Sequence, residues 1–435
     1  MYDKMKDHGL LVISAGTGIN LALGVLYSWS IFKGAIRQSI ESGGAGAFNW
    51  DLASLNDPYA VCCLVFACTM IVAGMVQDRF GPRVTAFIGG LLVGLGFLMV
   101  SQTTSYWGWI VGFGILVGSG IAFGYSAATP AALKWFPANK TGKIAGIVVS
   151  GFGLASVYIA PLATYLLVLW GLQDAMLAFG LGFFVLVGLL SFFLLTPPPG
   201  YSAKGFIERR EEHDENRLRR DDFHDSTMPP MQMLRTPTFW LVWLLYFIGA
   251  GAGLMVIGSV AGMAKSSLGE QAFVAVALLA VGNAAGRIIA GIASDHWGRA
   301  HTLAVLFLFQ AVLMFSAISV IGNNSDNALL LVLLTSFIGF NYGANLALFP
   351  AITKDLWGIS HFGKNYGLVF TAWGIGGFVM SMTSEMMKAE TGSFASSFLT
   401  AGILLISGAA LTLLIGFHPK KQMRREIRKS ATQQS

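Results

Sequence analysis

Charged residues are scarce in this chain of 435 residues. Only 11% of the residues are Asp, Glu, Lys or Arg, whereas 54% are hydrophobic and the mean hydropathy is +0.64. A soluble domain needs a charged surface, so this composition excludes an ordinary soluble protein and predicts a polytopic integral membrane protein. One basic residue, Arg287, lies deep inside an apolar stretch.

The residue patterns of common enzyme classes are also missing. We find no cluster of metal ligands, no Gly-rich phosphate loop of the Walker type and no nucleophile with a plausible base. We therefore expect no enzyme activity, no catalytic residues, no metal site and no cofactor. The three cysteines, Cys62, Cys63 and Cys68, fall in one predicted helix and cannot readily pair with one another.

Runs of about 20 apolar residues predict twelve membrane-spanning helices. This all-α fold divides into an N-terminal six-helix bundle over 1–196 and a C-terminal bundle over 237–418. A cytoplasmic linker over 197–236, rich in charges of both signs, joins them, and a basic cytoplasmic tail covers 419–435. The predicted spans are 9–31, 59–76, 84–101, 109–133, 144–167, 175–195, 239–263, 272–294, 303–321, 329–352, 366–386 and 394–417.

The distribution of basic residues predicts the orientation. Of the 28 Lys and Arg residues, 23 fall on one side of the predicted spans, and Lys33, Arg37, Lys265 and Lys388 fall on the other. Because basic loops stay in the cytoplasm, both termini should be cytoplasmic. We expect the plasma membrane of a prokaryote, with the basic tail beside anionic lipid and no nucleic-acid partner.

The two halves repeat one another. The segment 74–83 (GMVQDRFGPR) follows the second predicted helix, and 291–299 (GIASDHWGR) follows the eighth, at an offset of 217 residues. A second match, at an offset of 221, relates Gly142, Lys143 and Gly146 to Gly363, Lys364 and Gly367. Such duplication predicts two pseudo-symmetric bundles that rock around a site at the membrane midplane.

The repeated segments predict a cytoplasmic gate. Glycine lets helices approach closely, while Asp and Arg can cap helix ends or pair across an interface. We expect the two aspartates to hold the cytoplasmic side closed in an outward-open state, although the charges could also simply terminate helices. The gate residues are Asp78, Arg79, Arg83, Asp295 and Arg299.

Arg287 is the leading candidate for binding substrate charge. A cation at the centre of a membrane helix costs roughly 2.5–3.5 kcal/mol on insertion scales, so it must face a polar cavity or a partner. Asn283 lies four residues earlier, hence on the same helical face. The planar guanidinium can bind a carboxylate through two parallel hydrogen bonds, with Asn283 providing one more. The alternative is an arginine held by helix-end carbonyls or by a fixed acid.

These motifs resemble known transporters. The pattern Gly-x-x-x-Asp-Arg-x-Gly-x-Arg over 74–83 resembles the signature of the major facilitator superfamily. The segment 26–32 (LYSWSIF) is similar to the oxalate/formate antiporter family, and 135–137 (WFP), 140–146 (KTGKIAG) and 150–153 (SGFG) resemble the monocarboxylate transporters. The resemblance implies the twelve-helix fold of that superfamily and carboxylate transport.

The departures from these families narrow the substrate. Monocarboxylate transporters have an acid where this chain has Asn283, which cannot carry a coupling proton, and a lysine near the position of Ile31. Oxalate-handling relatives place a second cation about where Trp373 stands. With one cation, a dicarboxylate would leave one carboxylate unpaired in a low-dielectric cavity. The resemblance therefore favours a small monocarboxylate such as lactate or pyruvate.

Five further residues could line the site with hydroxyl, amide or indole groups beside apolar surface. Aromatic residues in membrane helices also serve in packing or as interface anchors, so each of these is a weaker candidate. They are Tyr27, Tyr125, Asn341, Tyr342 and Trp373.

The sequence as a whole predicts a secondary transporter of small monocarboxylates that works by alternating access, with the proton as coupling ion. We expect a monomer whose partners are the anion, the proton and the lipid bilayer. Two alternatives stay open: an exchanger of carboxylates of the oxalate/formate type, and a transporter-like sensor that binds a carboxylate without flux.

Overall fold

The computed structural model describes residues 8–44, 46–198, 201, 228–268, 272–322 and 328–432. Within these ranges, the side chains of 53, 258–268, 272–276, 320–322, 328, 385, 389 and 415–432 are outside the description. The predicted linker segment 202–227 is also outside it, as is the side chain of Lys265.

All regular secondary structure in the described ranges is helical. Apolar runs with few charges favour helices in a membrane because each helix satisfies its own backbone hydrogen bonds. The N-terminal helices are α1 (Gly9–Ser42), α2 (Asp57–Phe80), α3 (Pro82–Ser101), α4 (Tyr106–Leu133) and the stretch Thr141–Ser191, which holds α5 and α6. The C-terminal helices are α7 (Pro237–Leu268), α8 (Ala272–Trp297), α9 (Arg299–Gly322), α10 (Ala328–Trp357), α11 (Phe362–Thr391) and α12 (Ala395–Thr432).

Eleven described stretches are long and apolar enough to cross a membrane. One of them, Ala138–Ser191, has 54 residues, or about 81 Å of helix, far more than the hydrocarbon core of a bilayer. Gly171, with φ 79° and ψ 177°, breaks its helical geometry and separates α5 from α6. The count of twelve spans predicted from the sequence thus agrees with the described helices.

Most described helices begin or end a few residues outside the predicted spans, and two ends differ most. Helix α1 continues to Ser42 rather than ending at Ile31, and α12 continues to Thr432 through most of the predicted tail. Hydropathy marks only the part of a helix that lies in lipid, whereas polar residues such as Gln, Glu, Lys and Arg extend it readily in water. The predicted ends were therefore wrong where a helix leaves the membrane.

The two halves meet mainly through two helix pairs, α2 with α11 and α5 with α8. Glycines allow these helices to touch backbone to backbone. A Cβ atom on Gly74 would overlap the carbonyl group of Gly363, and one on Gly291 would overlap that of Gly142. We call these contacts the α2–α11 crossing and the α5–α8 crossing, and the side of the bundle on which they lie the motif side.

Helix α1 is irregular where it passes the centre of the bundle. Its segment Gly24–Ser28 is a 3₁₀-helix that carries Tyr27. A Cβ atom on Gly24 would lie 2.6 Å from the carbonyl oxygen of Phe152, so this segment packs directly on α5. A 3₁₀ stretch within a longer helix often accompanies a functional site, and here it places Tyr27 beside the α5–α8 crossing.

Candidate functional site

Arg287 is fully buried at the centre of α8. Its Nε donates a hydrogen bond of 2.9 Å to Asn283 Oδ1, as expected for residues four apart on one helical face. Its Nη1 donates a bond of 2.6 Å to the carbonyl of Val149, which lies on α5 in the other half. The third nitrogen, Nη2, is buried and has no hydrogen-bond partner among the described residues, so the guanidinium keeps unused donors.

The surroundings of Arg287 fix the direction of the guanidinium. Its Cζ lies 5.9 Å from the centroid of the Phe152 ring, which is within the range of a cation–π contact. A Cβ atom on Gly153 would lie 3.3 Å from both Arg287 Nε and Asn283 Oδ1. The absence of a side chain at Gly153 therefore makes room for the arginine and asparagine pair. The predicted alternative was an arginine held by helix-end carbonyls, whereas the carbonyl that holds Nη1 belongs to Val149, within α5.

Three of the predicted lining residues form a hydrogen-bonded chain beside Arg287. The hydroxyl groups of Tyr27 and Tyr342 lie 2.9 Å apart, and Trp373 Nε1 donates to the Tyr342 hydroxyl, also at 2.9 Å. The Tyr27 hydroxyl also interacts with Arg287. Because Tyr27 belongs to the N-terminal half and the other two to the C-terminal half, this chain connects the halves across the site.

Tyr125 and Asn341 take different positions. Tyr125 is buried among the rings of Phe66, Phe152 and Phe370, at centroid distances of 5.7, 5.5 and 5.5 Å. Asn341 is buried in α10, where its amide donates back to the carbonyl of Phe337 on the same helix. The described contacts therefore include Tyr125 in the aromatic wall of the site and do not connect Asn341 with Arg287.

Several residues of the site were not predicted from the sequence. They are the Val149 carbonyl, Gly153 and the three phenylalanines that surround Tyr125. A phenylalanine in an apolar helix looks like any other core residue, and a carbonyl carries no sequence signal at all. Only the resemblance of 150–153 (SGFG) to the monocarboxylate transporters pointed to this part of α5.

Within the described residues, no carboxylate forms a salt bridge with Arg287. The centre of the bundle therefore holds one permanent positive charge balanced only by neutral oxygen atoms. Such a charge binds an anion more readily than a charge already neutralised by a fixed acid would.

A cavity of about 710 Å³ lies elsewhere, between α1 and the turn that joins α5 to α6. Its wall includes Gln38, Ser39, Thr164 and Asp174, and none of the predicted substrate residues. No Lys or Arg lines it, so it offers nothing to balance an anion. The buried cluster around Arg287 is the better candidate site, because a buried cation with an unpartnered Nη2 is present there.

At the α5–α8 crossing, Asp295 caps the beginning of α5. Its carboxylate accepts hydrogen bonds from the backbone N–H groups of Gly142 and Lys143, at 2.8 and 2.7 Å. Arg299 donates to Asp295 at 2.7 Å and to Asp355 at 2.7 Å. A carboxylate at a helix N-terminus is stabilised by the unpaired N–H groups there, and the ion pairs with Arg299 add to this contact.

At the α2–α11 crossing, Asp78 caps α11 in the same way. Its carboxylate accepts from the backbone N–H groups of Gly363 and Lys364, at 3.0 and 2.9 Å. Lys134, just beyond the end of α4, interacts electrostatically with this carboxylate. Burial lowers the pKa of Lys134, and the negative charge of Asp78 opposes that shift.

Two predicted gate residues do not take part in these contacts. Arg79 and Arg83 are exposed, and neither forms an ion pair with an acid in the described part of the chain. Arg79 instead lies over the ring of Phe80, 5.2 Å from its centroid. The carboxylate of Asp78 is instead satisfied by the backbone N–H groups of Gly363 and Lys364. The part of these two arginines in the gate stays a prediction. The role of the two aspartates as a gate stays a prediction.

Comparison with known proteins agrees with this architecture. A model of the Major Facilitator Superfamily matches residues 10–381 and 256–434. The structure is similar to that of the proton:xylose symporter XylE, with a TM-score of 0.71, 15% identity and coverage of 93% of this chain and 95% of that one. At this identity, the likeness establishes the fold alone.

Two relatives carry names that bear on the substrate. The chain is 27% identical to the oxalate:formate antiporter of Oxalobacter formigenes over 359 residues, which cover 80% of this chain and 77% of the antiporter. It is 24% identical to monocarboxylate transporter 11 of Mus musculus over 352 residues, with coverage of 78% and 73%. The resemblance to both families stated from the sequence is confirmed.

Proposed function

The chain belongs to the Major Facilitator Superfamily, and from that premise we propose that it is a secondary transporter of small monocarboxylates. The observation that carries this proposal is the state of Arg287. It is buried in the middle of the bundle, held on two sides by Asn283 and the Val149 carbonyl, and left with an unpartnered Nη2. The names of the two relatives support an anionic carboxylate as the substrate.

The carboxylate of the substrate binds Arg287. One oxygen accepts from Nη2, and the second replaces the Val149 carbonyl at Nη1, which gives the two parallel hydrogen bonds that arginine forms best with a carboxylate. Asn283 acts by holding Nε, so that the remaining donors face the same way. The remainder of a lactate or pyruvate molecule lies against Tyr27, Tyr342 and Trp373. Their rings pack against its methyl group, and their O–H and N–H groups form hydrogen bonds with its hydroxyl or keto group.

A single cation selects a monoanion. At the position where oxalate-handling relatives resemble this chain but have a second cation, the buried Trp373 donates its indole N–H to Tyr342. A dianion would bring one carboxylate into the site without an opposite charge, and such burial is costly. Formate, lactate and pyruvate therefore fit better than oxalate.

Transport follows from rocking of the two halves around Arg287. The motif side is the cytoplasmic side, and the contacts of Asp78 and Asp295 hold it closed while substrate enters from outside. Breaking those contacts opens the site to the cytoplasm. The protein acts as a monomer in the plasma membrane of a prokaryote, with both termini in the cytoplasm.

The proton gradient drives uptake in this proposal. Asn283 cannot titrate, so the proton enters the site on the substrate, as its carboxylic acid, and the substrate binds Arg287 as a carboxylate once that proton has left it. When the empty carrier returns to the outward-open state, Arg287 keeps its charge. Each cycle therefore moves one anion and one proton.

Exchange is the second candidate, and one observation favours it. Within the described residues, no acid pairs with Arg287, so closing the empty carrier leaves a buried cation without an opposite charge. A carrier loaded with a monoanion has no such penalty. If that penalty is large, the protein crosses between its two states only when loaded, as an exchanger does.

Uptake of labelled L-lactate into proteoliposomes tests both candidates. Liposomes empty of substrate and acidic outside should accumulate lactate, and an Arg287→Gln protein should not. Uptake that requires preloaded carboxylate would favour exchange. A well-folded wild-type protein that moves no monocarboxylate under either condition would contradict the proposal.

A further inference from the structure

Three tyrosine hydroxyl groups meet inside the bundle, apart from the Arg287 contacts. Tyr125 on α4, Tyr246 on α7 and Tyr366 on α11 are each at most 2% exposed, and none of their hydroxyl groups has a protein hydrogen-bond partner. The hydroxyl groups of Tyr125 and Tyr246 both lie within interaction range of that of Tyr366. We call these three residues the tyrosine cluster.

The tyrosine cluster surrounds Phe370 and extends from the substrate site to the motif side. The Phe370 ring contacts the rings of all three tyrosines, at centroid distances of 5.5, 6.1 and 5.7 Å. The Tyr125 ring contacts the Phe152 ring at 5.5 Å, and Arg287 Cζ lies 5.9 Å from the centroid of the same Phe152 ring. Tyr366 lies three residues after Gly363, whose N–H group is held by Asp78. The cluster therefore lies between the cation and the α2–α11 crossing.

The chemistry of the cluster fits water better than substrate. A buried hydroxyl without a partner is unfavourable, and three in one place call for an occupant that both donates and accepts. A carboxylate could only accept, and no cation belongs to the cluster to balance its charge. A buried water commonly makes about three hydrogen bonds, one for each of these hydroxyl groups.

We propose that Tyr125, Tyr246 and Tyr366 bind a buried water and relay the coupling proton from the substrate at Arg287 to the motif side. This inference rests on the proposed function, because it assigns a route to the proton that Asn283 cannot carry. The O–H bond of the bound carboxylic acid breaks as a new O–H bond forms on the relay. Once the motif side opens, the last hydroxyl releases a proton to the water that then reaches it. The substrate remains on Arg287 as a carboxylate, so charge and atoms balance.

Hydroxyl deletion in the cluster tests the relay. Tyr246→Phe, Tyr366→Phe and the double variant keep the rings and remove only oxygen atoms. The matched control is Tyr158→Phe, which removes a hydroxyl bonded to the Leu21 carbonyl outside the cluster. Two rates are measured for each protein in proteoliposomes: lactate uptake driven by a pH gradient, and exchange of external for internal lactate at equal pH.

The relay predicts that the two rates separate. Proton-driven uptake should fall by at least about tenfold in the double variant, as expected when a proton-transfer group is lost, while exchange stays within about twofold of wild type. The Tyr158→Phe protein should keep the wild-type ratio of the two rates. Equal loss of both rates, or loss of neither, would overturn the relay, and the single variants serve if the double variant does not fold.

The same experiment keeps the relay distinct from the proposed function. Arg287→Gln could lose both rates while the tyrosine variants keep the wild-type ratio of proton-driven uptake to exchange. That result would support carboxylate transport and contradict the relay. Exchange without any proton-driven uptake in the wild type would overturn the relay and proton coupling together, while carboxylate binding at Arg287 would stand. Electron density for a solvent atom between the three hydroxyl groups would support the cluster independently, and apolar packing in its place would contradict it.

Discussion

The α2–α11 crossing and the α5–α8 crossing have nearly the same backbone and very different side chains. In each, a glycine of one half touches a glycine of the other, and an aspartate accepts two backbone N–H groups at the start of the facing helix. The offset of 217 residues that relates Asp78 to Asp295 also relates Met70 to Arg287. Both of the latter are fully buried, yet one is apolar and the other is charged.

The difference shows how a duplicated fold acquires one substrate site. The repeated glycines and aspartates keep two equivalent surfaces on which the halves can move. The side chains nearer the centre of the bundle have diverged. Helix α2 has Phe66 and Met70 at the positions where α8 has Asn283 and Arg287. If α2 also carried an arginine at the position of Met70, the approximate twofold axis would bring two cations to the site, which would suit a dianion. The asymmetry leaves a single charge.

The largest effect is expected when that asymmetry is removed. Arg287→Met gives α8 the side chain that α2 has at the equivalent position. Transport of lactate by exchange should fall at least about a hundredfold, because a carboxylate would then enter a low-dielectric site without a cation. Labelled-lactate exchange in proteoliposomes measures this. The control is Met70→Leu, a volume-conserving change that should leave exchange near wild type. Transport retained by Arg287→Met would place the substrate elsewhere.

The next effect concerns the partner of the arginine. Asn283→Asp supplies a carboxyl group where Nε now donates to an amide oxygen. When ionised, this group neutralises Arg287 and repels the substrate, so lactate affinity at neutral pH should fall by about tenfold, equivalent to 1.4 kcal/mol. Binding should then require one proton on the new carboxyl group, and affinity should rise as the pH falls. Equilibrium binding at several pH values measures this, and an affinity independent of pH would contradict it.

Much of this architecture could be predicted from the sequence. Apolar runs defined twelve spans, the repeat defined two halves, and a spacing of four placed Asn283 beside Arg287. These features depend on composition and helical periodicity, which the sequence displays directly. The aspartates were expected at the interface between the halves for the same reason, since the repeat shows them twice.

Contacts between helices could not be predicted in this way. The bond from Arg287 to the Val149 carbonyl depends on how far α5 is rotated, and a single sequence does not record that rotation. Arg79 and Arg83 belong to the same motif as Asp78 yet point away from it, because the backbone of α11 already satisfies the carboxylate. Phe66, Phe152 and Phe370 could not be distinguished from ordinary core residues, although they form the wall of the site.

Alanine substitution of glycines at the two crossings sharpens the comparison. A Cβ on Gly146 would overlap the carbonyl of Arg287, and one on Gly367 would lie 2.5 Å from the carbonyl oxygen of Met70. Overpacking should lower the free energy of unfolding of each variant by about 1–3 kcal/mol. The unfolding temperature should therefore fall by a similar amount in the two variants. Only Gly146→Ala should also weaken lactate binding, because it displaces the helix turn that carries Arg287.

The control for this pair is Gly182→Ala on α6, where an added Cβ meets nothing within 4 Å. Thermal unfolding in detergent, with and without lactate, separates stability from binding. If Gly367→Ala weakened lactate binding as much as Gly146→Ala, the two crossings would contribute equally to the site and the asymmetry argument would fail.

The smallest effect separates the two aspartates. Asp295 accepts from two backbone N–H groups and from Arg299, which also pairs with Asp355. Among the described residues, Asp78 accepts from two backbone N–H groups and has Lys134 and His361 nearby, without an ion pair. The difference traces to two positions. At the offset of 217, Pro82 of the first half corresponds to Arg299, and at an offset of 220, which relates Lys134 to Lys354, Trp135 corresponds to Asp355. Asp295→Asn should therefore favour opening of the motif side by roughly tenfold and Asp78→Asn by about threefold.

Distances between spin labels at Lys140 and His361, in a protein whose three cysteines have been replaced, would report the opening, since both positions are exposed and belong to different halves. Arg83→Gln is the matched control and should shift nothing, because Arg83 forms no ion pair in the described part of the chain. Equal shifts for the two aspartate variants would mean that the Arg299 ion pairs add nothing to the closed state. Each crossing would then be held closed by its aspartate cap alone. The asymmetry between the two halves would be confined to the residues around the substrate.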